Sequence, residues 1–447
     1  MHPISKLGVA AFCVWLGDAG VFADDWPQWL GPSRDSVWRE SRIIERFPTN
    51  GPPIVWRTSV GGGYAGPAVA QGRVFLIDRL LAPGTSNPAD PFERSAIRGM
   101  ERVLCLSEKD GRTVWKHEYE CPYSISYPAG PRAAPLVDEG KVFTLGAEGN
   151  LLCLQAANGD VIWSKDFKKD FGTKTPMWGF AGHPLLDGNR LICLVGGAGS
   201  TAVAFDKNTG REIWRALTAD EPGYSSPVIY EAGGKRQLIL WHPEAANALD
   251  PETGKLYWSV PFKSRAGMTI ATPRKLDDLL FFTSFYSGSL MLRLDPSGPT
   301  ATIVWHTVKV NEKETTHLNA VMCTPFLEDG FIYGVCSYGQ LRCLNARTGE
   351  RVWETFQATT GGDPVRWANA FIVKNGSRFF LFNEKGDLII ANLSPRGYEE
   401  ISRAHLLEPT GSAAGRPVLW SHPAFANRHF FARNDKEIIS VDLEAKE

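Results

Sequence analysis

A Gly followed four residues later by a Trp, with a short apolar strand ahead of it, recurs along this chain and restricts it to repeat architectures. The unit is clearest in Leu341-Arg-Cys-Leu-Asn-Ala-Arg-Thr-Gly-Glu-Arg-Val-Trp353. It reads as a strand ending near Leu344, a turn closing at Gly349, and a second strand carrying Trp353. The same spacing joins Gly111 to Trp115, Gly159 to Trp163, Gly210 to Trp214 and Gly254 to Trp258. A looser copy, Ser297-Gly298 with Trp305, has three extra residues before its Trp. Self-similarity at a fixed period decides a fold before any single-element argument can.

Between the turns lie short alternating apolar runs such as 331–335 and 190–195, the pattern of half-buried strands broken by Gly turns. With Trp at 56, 115, 163, 214, 258, 305 and 353, the period suits four strands per unit, which implies an all-β propeller of four-stranded antiparallel blades. In the third repeat, strand A falls near 181–186, B near 190–196, C near 201–206 and D near 211–216. The strand-D Trp is expected to pack between neighbouring blades, where a large aromatic covers most apolar surface. The functional alternative is a set of Trps that stack on ligands. The final repeat, 422–442, supplies only three strands, and 54–60 can supply its fourth. Closing the last blade with an N-terminal strand removes an open sheet edge. The count is then eight blades, with seven as the alternative, in a single domain over 54–447.

Residues 1–23 read as a secretory signal peptide: Lys6, an apolar run over 7–16, then Val21-Phe22-Ala23 with cleavage-site spacing. That run is too short for a transmembrane segment, which takes about 20 residues. The expected product begins at Asp24 and is exported, periplasmic or extracellular. A net charge of −1 without a long basic run argues against a nucleic-acid partner. Residues 24–53, opening Asp24-Asp-Trp-Pro-Gln-Trp-Leu-Gly-Pro-Ser-Arg-Asp35, read as an extended arm laid across the propeller rim for packing. An insertion over 80–100 falls between strands B and C of the first blade and should stand over the face that carries the D–A connections, called here the top.

Excluding Cys13 in the apolar run leaves seven of the eight cysteines. Cys105, Cys153 and Cys343 share a column with Ala204, Ala248 and Ser440, so they read as small buried residues rather than disulfide or metal partners. No metal site is expected.

Strand A is innermost, so residues at its entry should ring the mouth of the central channel. That ring is Gly66, Ala134, His183, Ser226, Thr272, Thr324, Asn369 and His422, with Tyr64, Arg132, Trp178, Tyr224, Trp367 and Trp420 just upstream. His317 lies in the connection before Met322, and His242 in a top-facing B–C loop. Aromatic walls with a few polar groups describe a ligand pocket. The candidate ligand-binding residues are Arg132, Trp178, His183, Tyr224, His242, His317, Trp367, Asn369, Trp420 and His422. His183 and His422 each precede a Pro and could face each other across the channel, but no carboxylate at ligand spacing accompanies them. No catalytic motif stands out.

The repeated Leu-x-x-x-x-Gly-x-x-x-Trp pattern, together with the arm from Trp26 to Asp35, resembles the pyrroloquinoline-quinone-type (PQQ-like) propeller repeat of exported bacterial proteins. The resemblance implies eight blades. It also implies one of two functions, that of quinoprotein alcohol dehydrogenases or that of the BamB-like lipoprotein propellers of outer-membrane protein assembly, which bind partners and hold no cofactor. The dehydrogenases carry an adjacent-Cys disulfide over the quinone and a Ca²⁺ site beside a catalytic Asp, neither matched here. The lipoproteins need a lipobox Cys, which Cys13 does not supply. The favoured expectation is a non-catalytic binding or scaffold protein without cofactor, taking a protein or small-molecule ligand at its top funnel. The alternative is a quinone-dependent oxidoreductase holding pyrroloquinoline quinone with Ca²⁺.

Overall fold

The computed structural model describes residues 24–308 and 311–446; the signal-peptide reading of 1–23 lies outside them. Eight four-stranded antiparallel sheets form the propeller. Their innermost strands, numbered here as blades 1 to 8, are Ala68–Ala70, Leu136–Asp138, Leu185–Asp187, Val228–Ala232, Arg274–Leu276, Phe326–Glu328, Ala370–Asn375 and Ala424–Ala426. Blade 3 shows the repeat plainly: Leu185–Asp187, Arg190–Leu194, Ala202–Asp206 and Glu212–Ala216 pair in sequence order. In blade 8 the outermost strand is Ile54–Ser59, paired antiparallel with Glu437–Asp442. The N-terminal strand therefore closes the ring.

The repeat motif is a device for joining blades. In blade 3, Asp206 Oδ1 accepts the N–H groups of Asn208 and Thr209 and its carbonyl accepts that of Gly210. Gly210 sits at φ 69°, and a Cβ there would lie 2.7 Å from the ring of Trp163 in blade 2. Only Gly gives both the left-handed turn and the close approach. Trp163 then passes its indole N–H to the carbonyl of Lys207 at 3.0 Å. Equivalent bonds run from Trp56 to Glu108, Trp115 to Ala156, Trp214 to Pro251, Trp305 to Ala346 and Trp353 to Ser394. Trp258 bonds Gln237 of its own blade instead. The blade it faces carries the looser copy of the turn, so the irregular spacing and the irregular bond coincide.

The small-residue column has the same origin. Cys105, Cys153, Ala204, Ala248, Cys343 and Ser440 lie directly opposite Trp115, Trp163, Trp214, Trp258, Trp353 and Trp56 across the two outer strands. In blade 5 the same place, opposite Trp305, holds the buried and flexible Met291, so the column is mostly but not uniformly small. All seven cysteines among the described residues are buried and free.

The arm corrects the sequence reading. It does not lie across the rim but enters the axial channel from the face opposite the top. Asp24 and Asp25 bond the A–B turns of blades 8 and 1 through Asn427 and Gln71. Trp26 then pairs with Val69, and Pro27 accepts from Val137, both on inner strands. Arg34 is buried at the axis and donates to the carbonyls of Pro184 at 3.0 Å and Pro227 at 3.2 Å. Burial pulls its guanidinium down to about 10, a shift that nearby Tyr230 opposes. The chain leaves along blade 7, where Trp38 donates to Lys374. An extended segment inside a channel must satisfy its own backbone groups, and the free edges of the inner strands let it do so.

Candidate functional site

The plug sets the floor of a pocket on the axis. Trp29 lies parallel to His183, with ring centroids 4.3 Å apart, and edge-on to His422 at 4.4 Å; its indole N–H donates to Thr272 Oγ1 at 3.0 Å. Above it the D–A connections raise Tyr64, Tyr127, Trp178, Tyr224, Trp367 and Trp420 around a cavity of about 200 Å³ open at the top.

The ring at the strand-A entries is a hydrogen-bond relay between blades. The N–H of Ala134 donates to His183 Nδ1 at 2.8 Å, that of His183 to Ser226 Oγ at 3.2 Å, and that of Thr272 to Thr324 Oγ1 at 3.2 Å. Across the closure, the N–H of Gly66 donates to His422 Nε2 at 3.1 Å. Small or polar residues stand here because an innermost N–H must find a partner in the next blade. Both imidazoles thus serve as acceptors in a buried site, which disfavours the cation. Burial holds His183 well below the ordinary histidine range and pulls His422 down to about 3. The two rings are 5.4 Å apart, near perpendicular. Among the described residues no group of three or more His, Cys, Asp or Glu is placed to hold a metal.

The remaining walls are braced from behind. Trp420 donates its indole N–H to Glu384 at 2.9 Å, and Arg416 clamps the same carboxylate through two nitrogens. Burial pushes the Glu384 carboxyl up. Arg132 lies 5.0 Å over the Tyr64 ring and donates to the carbonyls of Gly130, Ser126 and Tyr127. Tyr127 and Trp367 have left-handed backbones, φ 54° and 65°. Such conformations cost about 1–2 kcal/mol each in a non-glycine residue.

Seven of the ten predicted residues meet in this pocket: Arg132, Trp178, His183, Tyr224, Trp367, Trp420 and His422. Three do not. His317 packs on Trp305 at 4.9 Å and bonds Thr307, on the outer side between blades. The connection from blade 5 to blade 6 is long, so its early part stays at the outer edge. His242 is buried beside Glu244 at 2.6 Å, and burial lowers its pKa despite that partner. Asn369 is 2% exposed, and its carbonyl accepts the N–H of Glu384. Sequence reasoning missed Trp29 and Phe92. Strands lengthen to Leu81 and from Gly99 in blade 1, so the insertion stands over the top as 82–98. There Pro91 accepts the Tyr127 N–H at 2.6 Å, and Phe92 meets Tyr127 edge-on at 5.2 Å and Trp367 at 6.2 Å.

The chain matches the family model described as outer membrane protein assembly factor BamB over residues 99–355 and 297–447. The quinohemoprotein alcohol dehydrogenase ADH-IIG of Pseudomonas putida is 26% identical over 228 residues, 46% of this chain and 29% of that one. BamB of Shewanella oneidensis is 22% identical over 268 residues, 58% of this chain and 65% of that one. The chain thus spans less than two thirds of the length of both relatives. Among solved structures, the quinohemoprotein alcohol dehydrogenase from Comamonas testosteroni superposes with a TM-score of 0.62 at 12% identity, over 95% of this chain and 81% of that one. The overlapping family matches cover most of an eight-bladed ring built on the Gly-to-Trp blade junction, and the chain belongs to the PQQ-like propeller family described by the BamB model.

Proposed function

We propose that this protein is an exported, non-catalytic binding propeller that engages its ligand or partner at the top funnel. One observation carries the reading: the pocket on the axis is walled by aromatic rings, and its two histidines and Arg132 already hold hydrogen bonds to the backbone. The two histidines are neutral acceptors of backbone N–H groups, and Arg132 donates to carbonyls. A wall of this kind binds by stacking and burial. It offers no poised acid or base, which catalysis by proton transfer needs. Export is part of the proposal, resting on the sequence of residues 1–23. Among the described residues no helix is long and apolar enough to cross a membrane.

The quinone alternative fits these residues poorly. Pyrroloquinoline quinone is a tricarboxylate, and a Ca²⁺ beside it takes oxygen ligands, chiefly carboxylates and amides. Among the described residues the pocket lining contains no Asp, Glu, Asn or Gln. Titration of residues 24–447 with pyrroloquinoline quinone and Ca²⁺, followed by calorimetry and the quinone absorbance band, tests this. The expected result is no saturable heat. Saturable one-to-one binding lost in Trp420→Ala would overturn the proposal in favour of a dehydrogenase.

A further inference from the structure

We infer that the funnel takes a small aromatic monocarboxylate, its planar body stacked among Trp178, Trp367 and Trp420 and its carboxylate on Arg132. The inference rests on the funnel reading above and adds the chemistry of the occupant. Arg132 lines the pocket and carries the one charge in its wall, because His183 and His422 are neutral. The guanidinium stays protonated at neutral pH. Its partners among the described residues are carbonyls, those of Gly130, Ser126 and Tyr127, reached through Nη1 and Nη2. No carboxylate among them pairs with it. These bonds leave Nε–H free, and that nitrogen keeps accessible surface, whereas the equally unpartnered Nε atoms of Arg34 and Arg79 are buried. An anion entering the open pocket therefore meets a cation that is both reachable and uncompensated.

The walls carry the same sign. Arg265 lies 5.1 Å over the ring of Tyr286 and Arg366 lies 4.5 Å over that of Trp367, as Arg132 lies 5.0 Å over Tyr64. All three rings line the pocket. Arg265 is exposed and forms no ion pair among the described residues, while Arg366 shares Glu312. The nearby acids are compensated or pushed toward the neutral form: Arg416 holds Glu384, and burial raises the carboxyl of Glu221 beside Gly267. A cationic occupant would lose its hydration and gain no counter-ion. A sugar would bury several hydroxyls against indole and phenol faces, most of them without partners. One free guanidinium matches one carboxylate, and a tricarboxylate would bury two further charges unpaired. A planar ring gains from stacking on the aromatic walls, and the cavity of about 200 Å³ accommodates one or two cycles.

The test is calorimetric titration of residues 24–447 with 2-naphthoate, its neutral isostere 2-naphthamide, the cation 2-naphthylmethylammonium, and octanoate. The expected result is one-to-one binding of naphthoate, about tenfold or more tighter than the amide, the effect of one hydrogen bond to a charged group. The ammonium should bind most weakly, and octanoate less tightly than naphthoate. Raising the ionic strength from about 0.01 M to about 1 M, which shortens the screening length from about 30 Å to about 3 Å, should weaken naphthoate several-fold and leave the amide unmoved. Arg132→Gln should bring naphthoate down to the affinity of the amide, and Arg265→Gln, at the exposed rim, should weaken it about two- to threefold. Trp420→Ala should weaken every aromatic probe. Equal affinities for naphthoate and naphthamide, both unmoved by Arg132→Gln, would overturn the carboxylate and leave the funnel reading standing, as would tightest binding of the ammonium. Octanoate binding as tightly as naphthoate would overturn the aromatic body. If no probe binds, the inference fails. Benzoylphenylalanine in place of Phe92 then tests the funnel reading separately: a photo-crosslinked exported protein keeps it, and no crosslink removes it. A wall displaced by Arg132→Gln would show as lost naphthamide affinity, and the wild-type charge series and salt dependence then decide.

Discussion

The molecule contains two sets of tryptophans that do different work. The seven of the outer strands sit between blades, and six of them hand their indole N–H to a backbone carbonyl of the neighbouring blade. Those on the axis project from connections and from the arm: Trp29 bonds a threonine hydroxyl and Trp420 a carboxylate. The outer set is fixed by periodicity and buys the ring its rigidity. The axial set varies in identity from blade to blade: Trp367 and Trp420 stand three residues before Ala370 and Pro423, where other blades place Tyr64, Arg132 and Tyr224 before Pro67, Pro135 and Pro227, while Trp29 comes from the arm. On the proposed reading, stability and recognition are carried by the same residue type in separate places.

Replacement sharpens that contrast most strongly. Trp163→Ala removes an aromatic buried between two blades and should cost about 3–5 kcal/mol in urea unfolding. Trp178→Ala, half-buried at the funnel, should cost no more than about 1 kcal/mol. Equal losses would break the division between scaffold and site. The turn glycines divide in the same way. Gly210→Ala meets both a left-handed φ and the Trp163 ring, and should cost about 2–3 kcal/mol. Gly415, in the funnel hairpin formed by Gly411–Ala413 and Arg416–Val418, has φ 78° but nothing within 4 Å of a Cβ. Its Ala variant should lose only the backbone component, about 1 kcal/mol.

How much of this was legible in the sequence follows the same boundary. Blade number, strand phasing, the closing strand and the Cys/Ala/Ser column all derive from a repeated packing constraint, and each repeat restates it. His183 and His422 were legible because they stand in register with Ser226 and Thr324. Trp29 was not, because its partner Thr272 lies 243 positions away and no period links the arm to the blades. Phe92 was hidden for a similar reason: its value depends on how a loop folds over blade 7. His317 misled because its place in the connection before Met322 suggested the axis, while the length of that connection keeps it beside Trp305.

The paired histidines give the axis a pH dependence of its own. His422 is held at about 3 by burial, below the ordinary histidine value near 6.5, and His183 is lowered in the same direction. Between those values the unfolded chain binds more protons than the folded one. The contribution of these rings to stability is therefore full above about pH 6.5 and is lost progressively as pH falls toward 3. Glu101 and Glu384, whose carboxyls burial pushes up from the ordinary value of about 4.5, act in the opposite sense from about pH 4.5 upward. His422→Gln keeps an acceptor for the Gly66 N–H without a titratable ring. Melting temperatures measured from pH 7 to pH 4.5 should fall less steeply in this variant than in the wild type. Parallel curves would mean that the ring is protonated in the folded state, contrary to its buried, acceptor geometry.

The smallest effect belongs to the cysteine column, and its size is the informative part. Cys153 lies opposite Trp163 across the outer strands, the place that Ala204 and Ala248 fill in the next two blades. Cys153→Ala should therefore cost about 1 kcal/mol or less, the loss of one small buried group, whereas Cys153→Leu overpacks the indole's neighbours and should cost about 1–3 kcal/mol. Because the described cysteines are free, adding a reductant should leave the melting temperature unchanged, and denatured residues 24–447 should titrate as seven thiols with a thiol reagent. A shortfall of two thiols would reveal a disulfide and make the column a covalent brace. A full count, with Cys153→Ala nearly silent, would mean that its task is to be small where a blade-joining tryptophan needs room.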